Sequence, residues 1–171
     1  MLFRSALRCF RTAAEAGLRE AQLILAWNYR DGRGTARDTA AAALWFRKAA
    51  EQGDASAQFQ LAALYCTGTG VVRNLIEAVK WYRRSAEQGD RYAQYNLAVM
   101  LSKGQGARLD AKEAFRLCSA AAEQGLPEAQ VQLGDLYKLG LGTAADPATA
   151  SNPRSAIQSR FGRANRGTIR E

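Results

Sequence analysis

The glycines constrain this chain more than any other feature. Gly17, Gly53, Gly89 and Gly125 stand 36 residues apart, and the pairs Gly32/Gly34, Gly68/Gly70, Gly104/Gly106 and Gly140/Gly142 recur at the same interval. A fixed period of this length marks an array of stacked supersecondary units, none of which can bury its own apolar face alone. The stretch from Asp54 to Gly89 is the clearest copy, and it is repeated on both sides without a change of length.

Each copy carries two apolar stripes at helical spacing. Ala57, Leu61 and Tyr65 fall at i, i+4 and i+8, as do Ala21, Leu25, Tyr29 and Ala129, Leu133, Tyr137. Beyond the paired glycines, Ala78, Trp81, Tyr82 and Ala86 form a second stripe, matched by Ala42, Trp45, Phe46 and Ala50. A unit is therefore two helices reversed at Gly-x-Gly, an antiparallel helical hairpin. Asp38, Asn74, Asp110 and Asp146 stand where a short side-chain oxygen caps the second helix, and Glu77 and Glu113 complete a capping-box pattern. Gly53, Gly89 and Gly125 end that helix, where a left-handed residue is tolerated only without a Cβ. Gly-x-Gly also occurs in phosphate cradles, but here no strand precedes it and it recurs at every helix-to-helix turn, which assigns it a structural role.

These residues resemble a known family. Ala-Gln-x-x-Leu-Ala/Gly, then Tyr, then Gly-x-Gly, then Ala-x-x-Trp-Tyr/Phe closing on Glu-Gln-Gly is similar to the Sel-one-like repeat (SLR), a relative of the tetratricopeptide repeat, over about residues 6–146. The resemblance implies an all-α, right-handed α-solenoid (superhelix) of antiparallel helical hairpins, used as a scaffold or adaptor in protein complexes. Secreted cysteine-rich relatives carry a regular cysteine pair per repeat, which is missing here, so no enzyme-like or antibiotic-binding role is carried over from them.

The expected organisation is a half-repeat or cap helix at 1–17, repeats at 18–53, 54–89 and 90–125, a degenerate C-terminal repeat or cap at 126–161, and a basic, disordered tail at 162–171. The third repeat reads as looser, because Leu101 replaces the tyrosine and Leu117 and Cys118 replace the aromatic pair. In the fourth, Asp146 and Pro147 open a helix well, but Pro153 occupies the place of Trp45 and Trp81 and stops the array. Asn152 and Pro153 then open a short replacement helix with Ile157 and Phe161 on one face.

Composition narrows the function. The chain has no histidine and three cysteines without CxxC spacing, so histidine-based triads and zinc sites are excluded; no cofactor and no enzymatic activity are expected. Cys9 and Cys118 fall in second-helix apolar columns and Cys66 late in a first helix. An odd, unpatterned set places the chain in a reducing, cytoplasmic compartment. Arg4, Arg8 and Arg11 ahead of any acid also resemble a mitochondrial presequence, the alternative location, although the repeat register already explains that helix. No apolar run has the length of a membrane span. The formal charge is +8, and residues 151–171 hold five arginines against Glu171. Binding of nucleic acid or an anionic surface through this tail is therefore the alternative function. A hydrolase hidden in the groove is the weakest reading.

In hairpin arrays the first helices line the concave side, so their non-core columns form the candidate groove for a protein or peptide partner. The candidate contacts are Glu20, Ile24, Trp27 and Asp31, then Gln60, then Tyr92, Asn96 and Lys103, then Gln132 and Asp135. These columns change chemistry between repeats while the core columns hold. Trp27 and Tyr92 are the natural anchors, unless Trp27 packs on the neighbouring helix. Leu23, Phe59, Tyr95 and Val131 read as core, and Gln22, Gln58, Gln94 and Gln130 as ties between packed helices. Burial of the second-helix tryptophans should dominate stability. Trp81→Ala is expected to cost ~3–5 kcal/mol and to lower the melting temperature markedly; an unchanged melting curve would count against stacked hairpins.

Overall fold

The structure, a computed structural model, describes residues 2–139, with side chains from 6 to 138. The expected cap at Asp146 and Pro147, the break at Pro153 and the basic tail lie outside the described residues. Among the described residues there are eight helices and no strand: α1 (Leu2–Glu15), α2 (Arg19–Asp31), α3 (Thr39–Glu51), α4 (Ala55–Thr67), α5 (Leu75–Glu87), α6 (Arg91–Lys103), α7 (Ala111–Glu123) and α8 (Pro127–Leu139). They fall into two compact units, one ending at Asp90 and one beginning at Arg91. In the first, α2 pairs with α3 and α4 with α5, while α1 packs on α2 and α3 on α4; in the second, α6 pairs with α7, which packs on α8.

The stripes read from the sequence are the core. Leu25, Phe46 and Leu61 are fully buried in the first unit, as are Leu97, Leu101 and Leu133 in the second, each contributing ~1.5–3 kcal/mol. Trp45 and Trp81 are buried as well. In the third repeat Leu117 and Cys118 are buried, and Phe115, half-buried where the other copies have Ala43 and Val79, meets the Tyr137 ring in a T-shaped contact at 5.1 Å.

Two expectations are corrected. The caps of Asp38, Asn74 and Asp110 form, each accepting from a backbone N–H two or three residues on. The reciprocal half of the capping box does not form at Asn74. Its backbone N–H donates instead to the Tyr65 carbonyl at 3.0 Å, and Glu77 accepts from Lys80 at 2.6 Å. The cap amide thus ties the second helix to the end of the first. The column expected as core also differs: Leu23, Phe59 and Tyr95 are only half-buried and Val131 is 68% exposed. At about 100° per residue, residue 23 lies roughly opposite the arc formed by Ala21, Gln22, Leu25 and Ala26. The column that completes the core is instead that of Leu64, Met100 and Leu136.

The glutamines are ties, as read. Gln22, Gln58 and Gln130 each donate to the carbonyl of an alanine in the last turn of the preceding helix, Ala14, Ala50 and Ala122, at 3.1, 3.1 and 3.4 Å. The acceptor ends of Gln22, Gln58 and Gln94 are used too. Gln52 donates to Gln22 and Gln88 to Gln58, both at 2.8 Å, and Gln124 to Gln94 at 2.9 Å. Carbonyls left over at a helix end are thereby satisfied, and the Glu-Gln-Gly signature gains a reason for its middle residue.

The second glycine of the loop does more than reverse the chain. Gly70 has φ of 71°, and a Cβ there would stand 2.1 Å from the Thr39 carbonyl oxygen at the start of α3. The turn of one hairpin therefore rests on the backbone of the preceding one. Gly53, at φ 89°, has nothing within 4 Å of its would-be Cβ. Gly53→Ala should cost only the left-handed penalty of ~1–2 kcal/mol, and Gly70→Ala a further ~1–3 kcal/mol for the clash; equal denaturation midpoints would disprove the contact.

Cys118 offers a second test. It is fully buried and its Sγ donates to the Ala129 carbonyl at 3.2 Å, and burial pushes its thiol from 9.0 up to about 12. The unfolded thiol ionises first, so the stability it contributes is intact below pH 9.0 and falls as pH rises toward about 12, by up to ~1.4 kcal/mol per pH unit. Melting temperatures measured across this range should fall less steeply in Cys118→Ala than in the wild type.

Candidate functional site

The outward faces of the first helices carry every sequence-predicted contact. On α2, Glu20 and Ile24 are exposed, Ile24 by 37%, and Trp27 is half-buried. The Trp27 ring meets Phe46 of α3 edge-on at 5.2 Å, and the Arg30 guanidinium lies over it at 3.9 Å. Trp27 therefore serves hairpin packing and surface together: it packs against Phe46 and offers a face to a cation. Asp31 accepts from Arg30 Nε at 2.6 Å and lies 3.4 Å from Arg33 Nη2. The hydrogen bond from Arg30, with the charges of Arg30, Arg33 and Arg37, holds its carboxyl below the usual range. Glu20 is lowered likewise, first by a bond from backbone and then by Arg19, whose Nη2 is 2.9 Å away.

The same face of α4 differs in kind. From Ala55 to Thr67 there is no charged residue; Gln60 and Ala63 are half-buried, and Ser56 and Thr67 exposed. In the second unit, α6 presents Tyr92, 47% exposed, with half-buried Asn96 and exposed Lys103. Arg91 covers the Tyr92 ring at 5.0 Å and donates to its hydroxyl at 3.2 Å. On α8, Gln132 is half-buried and Asp135 exposed.

Within each helix, then, the candidates share one face. Sequence reasoning missed their apolar neighbours Leu23, Phe59, Tyr95 and Val131, which helical phase places on that same face. The signal was present: residue 23 lies four positions before 27. Phe59 is partly held by Tyr82, ring centroids 5.7 Å apart.

Two of the three thiols, Cys66 and Cys118, are shifted by burial. Burial raises Cys66, against the smaller opposing effects of a Tyr82 hydrogen bond and the Arg73 charge, and burial likewise raises Tyr82. Cys9, expected in an apolar column, is exposed. Among the described residues no group of His, Cys, Asp or Glu could hold a metal ion, and no helix is long and apolar enough to cross a membrane.

Comparison with known proteins places this architecture. The Sel1 repeat profile matches residues 3–18, 19–54, 55–90, 91–126 and 127–150. No curated protein matches the chain. Among solved structures, it is similar to c5321, a protective antigen present in uropathogenic Escherichia coli strains and displaying an SLR fold, at 37% identity and a TM-score of 0.81 over 90% of this chain and 33% of that one. A Sel1 repeat protein from Oxalobacter formigenes is 34% identical, with a TM-score of 0.83 over 92% of this chain and 65% of its own. A Sel1 repeat protein from Klebsiella pneumoniae is 28% identical, with a TM-score of 0.58 over 88% and 72%. The chain thus spans a third of the first relative's length and just under two thirds of the second's. Sel1 repeat proteins generally serve as protein-interaction scaffolds. On its fold, its period and these matches, the chain belongs to the Sel1 repeat family, an all-α solenoid of antiparallel helical hairpins.

Proposed function

We propose that this chain is a non-catalytic scaffold that holds a peptide or protein partner against the outward faces of its first helices. One observation carries the reading. The face columns run Glu20, Ile24, Trp27, Asp31 on α2, Ser56, Gln60, Ala63, Thr67 on α4 and Tyr92, Asn96, Val99, Lys103 on α6, while the core columns keep alanine at 21, 57 and 93 and leucine at 25, 61 and 97. A face specified copy by copy is what recognition of an extended partner requires, because each hairpin contributes its own pocket chemistry. Taken unit by unit, exposed Ile24 beside the neutral stretch of α4, and Tyr92 with Lys103 on α6, suit partner segments that mix apolar anchors with polar groups. The repeats 18–53, 54–89 and 90–125 are then the units of recognition. The raised thiols support the non-catalytic half, since a thiol driven toward its neutral form is a poor nucleophile.

The test uses side chains outside the core. A partner retained by the wild-type chain should be released about tenfold more readily by Ile24→Ala and by Tyr92→Ala, both with wild-type melting curves. Equal retention by all three proteins would move the contact off these faces.

A further inference from the structure

Four cations on the second helices of the first unit have neutral close partners. Arg11 Nη2 donates to the Tyr29 hydroxyl, and Arg47 Nη2 to the Tyr65 hydroxyl at 2.5 Å. Lys48 Nζ lies 4.2 Å from the centre of the Trp45 ring, and Arg84 Cζ 4.6 Å from that of Trp81. Arg11 and Arg47 are one period apart, as are Lys48 and Arg84. Among the described residues none of the four has a carboxylate within ion-pair distance. A neutral partner fixes a cation in place without cancelling its charge, so the row is both ordered and uncompensated.

The surrounding stripe adds to it. On α1 it carries Arg8 and Arg11, on α3 Leu44, Arg47 and Lys48, and on α5 Ile76 and Arg84, with Lys80 there paired to Glu77 at 2.6 Å; of its other carboxylates, Glu15, Glu51 and Glu87 each stand at the last residue of a helix. Leu44 is 52% exposed and Ile76 60%, so apolar side chains project among the cations.

We infer that this face of α1, α3 and α5 docks on an anionic phospholipid surface. Cations near such a surface are each worth about 1 kcal/mol, and Leu44 and Ile76 would enter the boundary between headgroups and acyl chains. A nucleic acid fits less well. The aromatic rings that could stack a base, Trp45 and Trp81, are buried and lie beneath Lys48 and Arg84, and a phosphate backbone offers nothing apolar to Leu44 or Ile76. The face uses none of the side chains assigned above to a protein partner.

The experiment is co-sedimentation of the full chain with vesicles of phosphatidylcholine alone and of phosphatidylcholine with about a quarter phosphatidylserine. Binding should require the anionic lipid and weaken with salt. Arg47→Gln/Lys48→Gln/Arg84→Gln should bind about a hundredfold more weakly, and the charge-keeping Arg47→Lys/Arg84→Lys should bind as the wild type does. Neutralising Arg154, Arg160, Arg163, Arg166 and Arg170 should leave most of the binding in place. Since Lys48 and Arg84 cover tryptophans, Leu44→Ser/Ile76→Ser provides a second reading: both side chains are exposed, so the melting curve should hold while binding falls several-fold. Unchanged binding in the triple and the Leu44/Ile76 variants overturns the proposal. So does loss confined to the tail variant, or capture of an oligonucleotide without capture of anionic vesicles.

Discussion

The register between one helix and the next is held by a buried amide. Gln58 is 4% exposed and spends its donor on the Ala50 carbonyl and its acceptor on Gln88. A glutamine suits this place because it offers both functions without a charge to desolvate, and because the last turn of every helix leaves carbonyls without a partner. Leaving such a group unpaired costs about 1–3 kcal/mol, so each copy of the link fixes where the next helix begins. Ser85 adds to it in the first unit, donating to the Ala55 carbonyl at 2.9 Å from a fully buried position.

Around that link the backbone itself does much of the joining. The cap residues Asp38, Asn74 and Asp110 send their own N–H groups to the carbonyls of Tyr29, Tyr65 and Leu101 at 2.8, 3.0 and 3.1 Å, which clamps the end of one helix to the start of its partner. Gly70 brings a loop against the α3 backbone. With junctions made by backbone, glycine and glutamine, the core tolerates Leu117 and Cys118 where other copies have an aromatic pair. Of the outward columns, that of Trp27 is shared with packing against Phe46, while Glu20, Ser56 and Tyr92 stand exposed and can vary at little cost to the fold.

Two kinds of surface result. The first helices present mixed apolar and polar chemistry, with Asp31 and Glu20 already paired to arginines. Four cations on the second helices of the first unit are held by hydroxyls and aromatic rings. Trp27 shows how closely packing and surface are joined, since Phe46 packs against its ring and Arg30 covers a face.

The sequence by itself determined the period, the hairpin, the helix ends and the alternation of core and surface columns, because these follow from local spacing: a helix repeats every 3.6 residues, a cap needs a short acceptor, and a left-handed turn needs glycine. It also carried the glutamine ties, visible as a polar column inside an apolar stripe. Only the tertiary structure decided which stripe edge was covered. Phe59 and Leu64, like Tyr95 and Met100, are all large and apolar in character, and nothing local says that Leu64 and Met100 go inside while Phe59 and Tyr95 stay half out; the position of the partner helix does. For the same reason the second loop glycine read as a turn until Thr39 stood against it, and the neutral partners of Arg47, Lys48 and Arg84 came only with the packed helices. Contacts between residues 18 to 31 positions apart depend on how helices pack, and packing is settled by the whole set of neighbours at once.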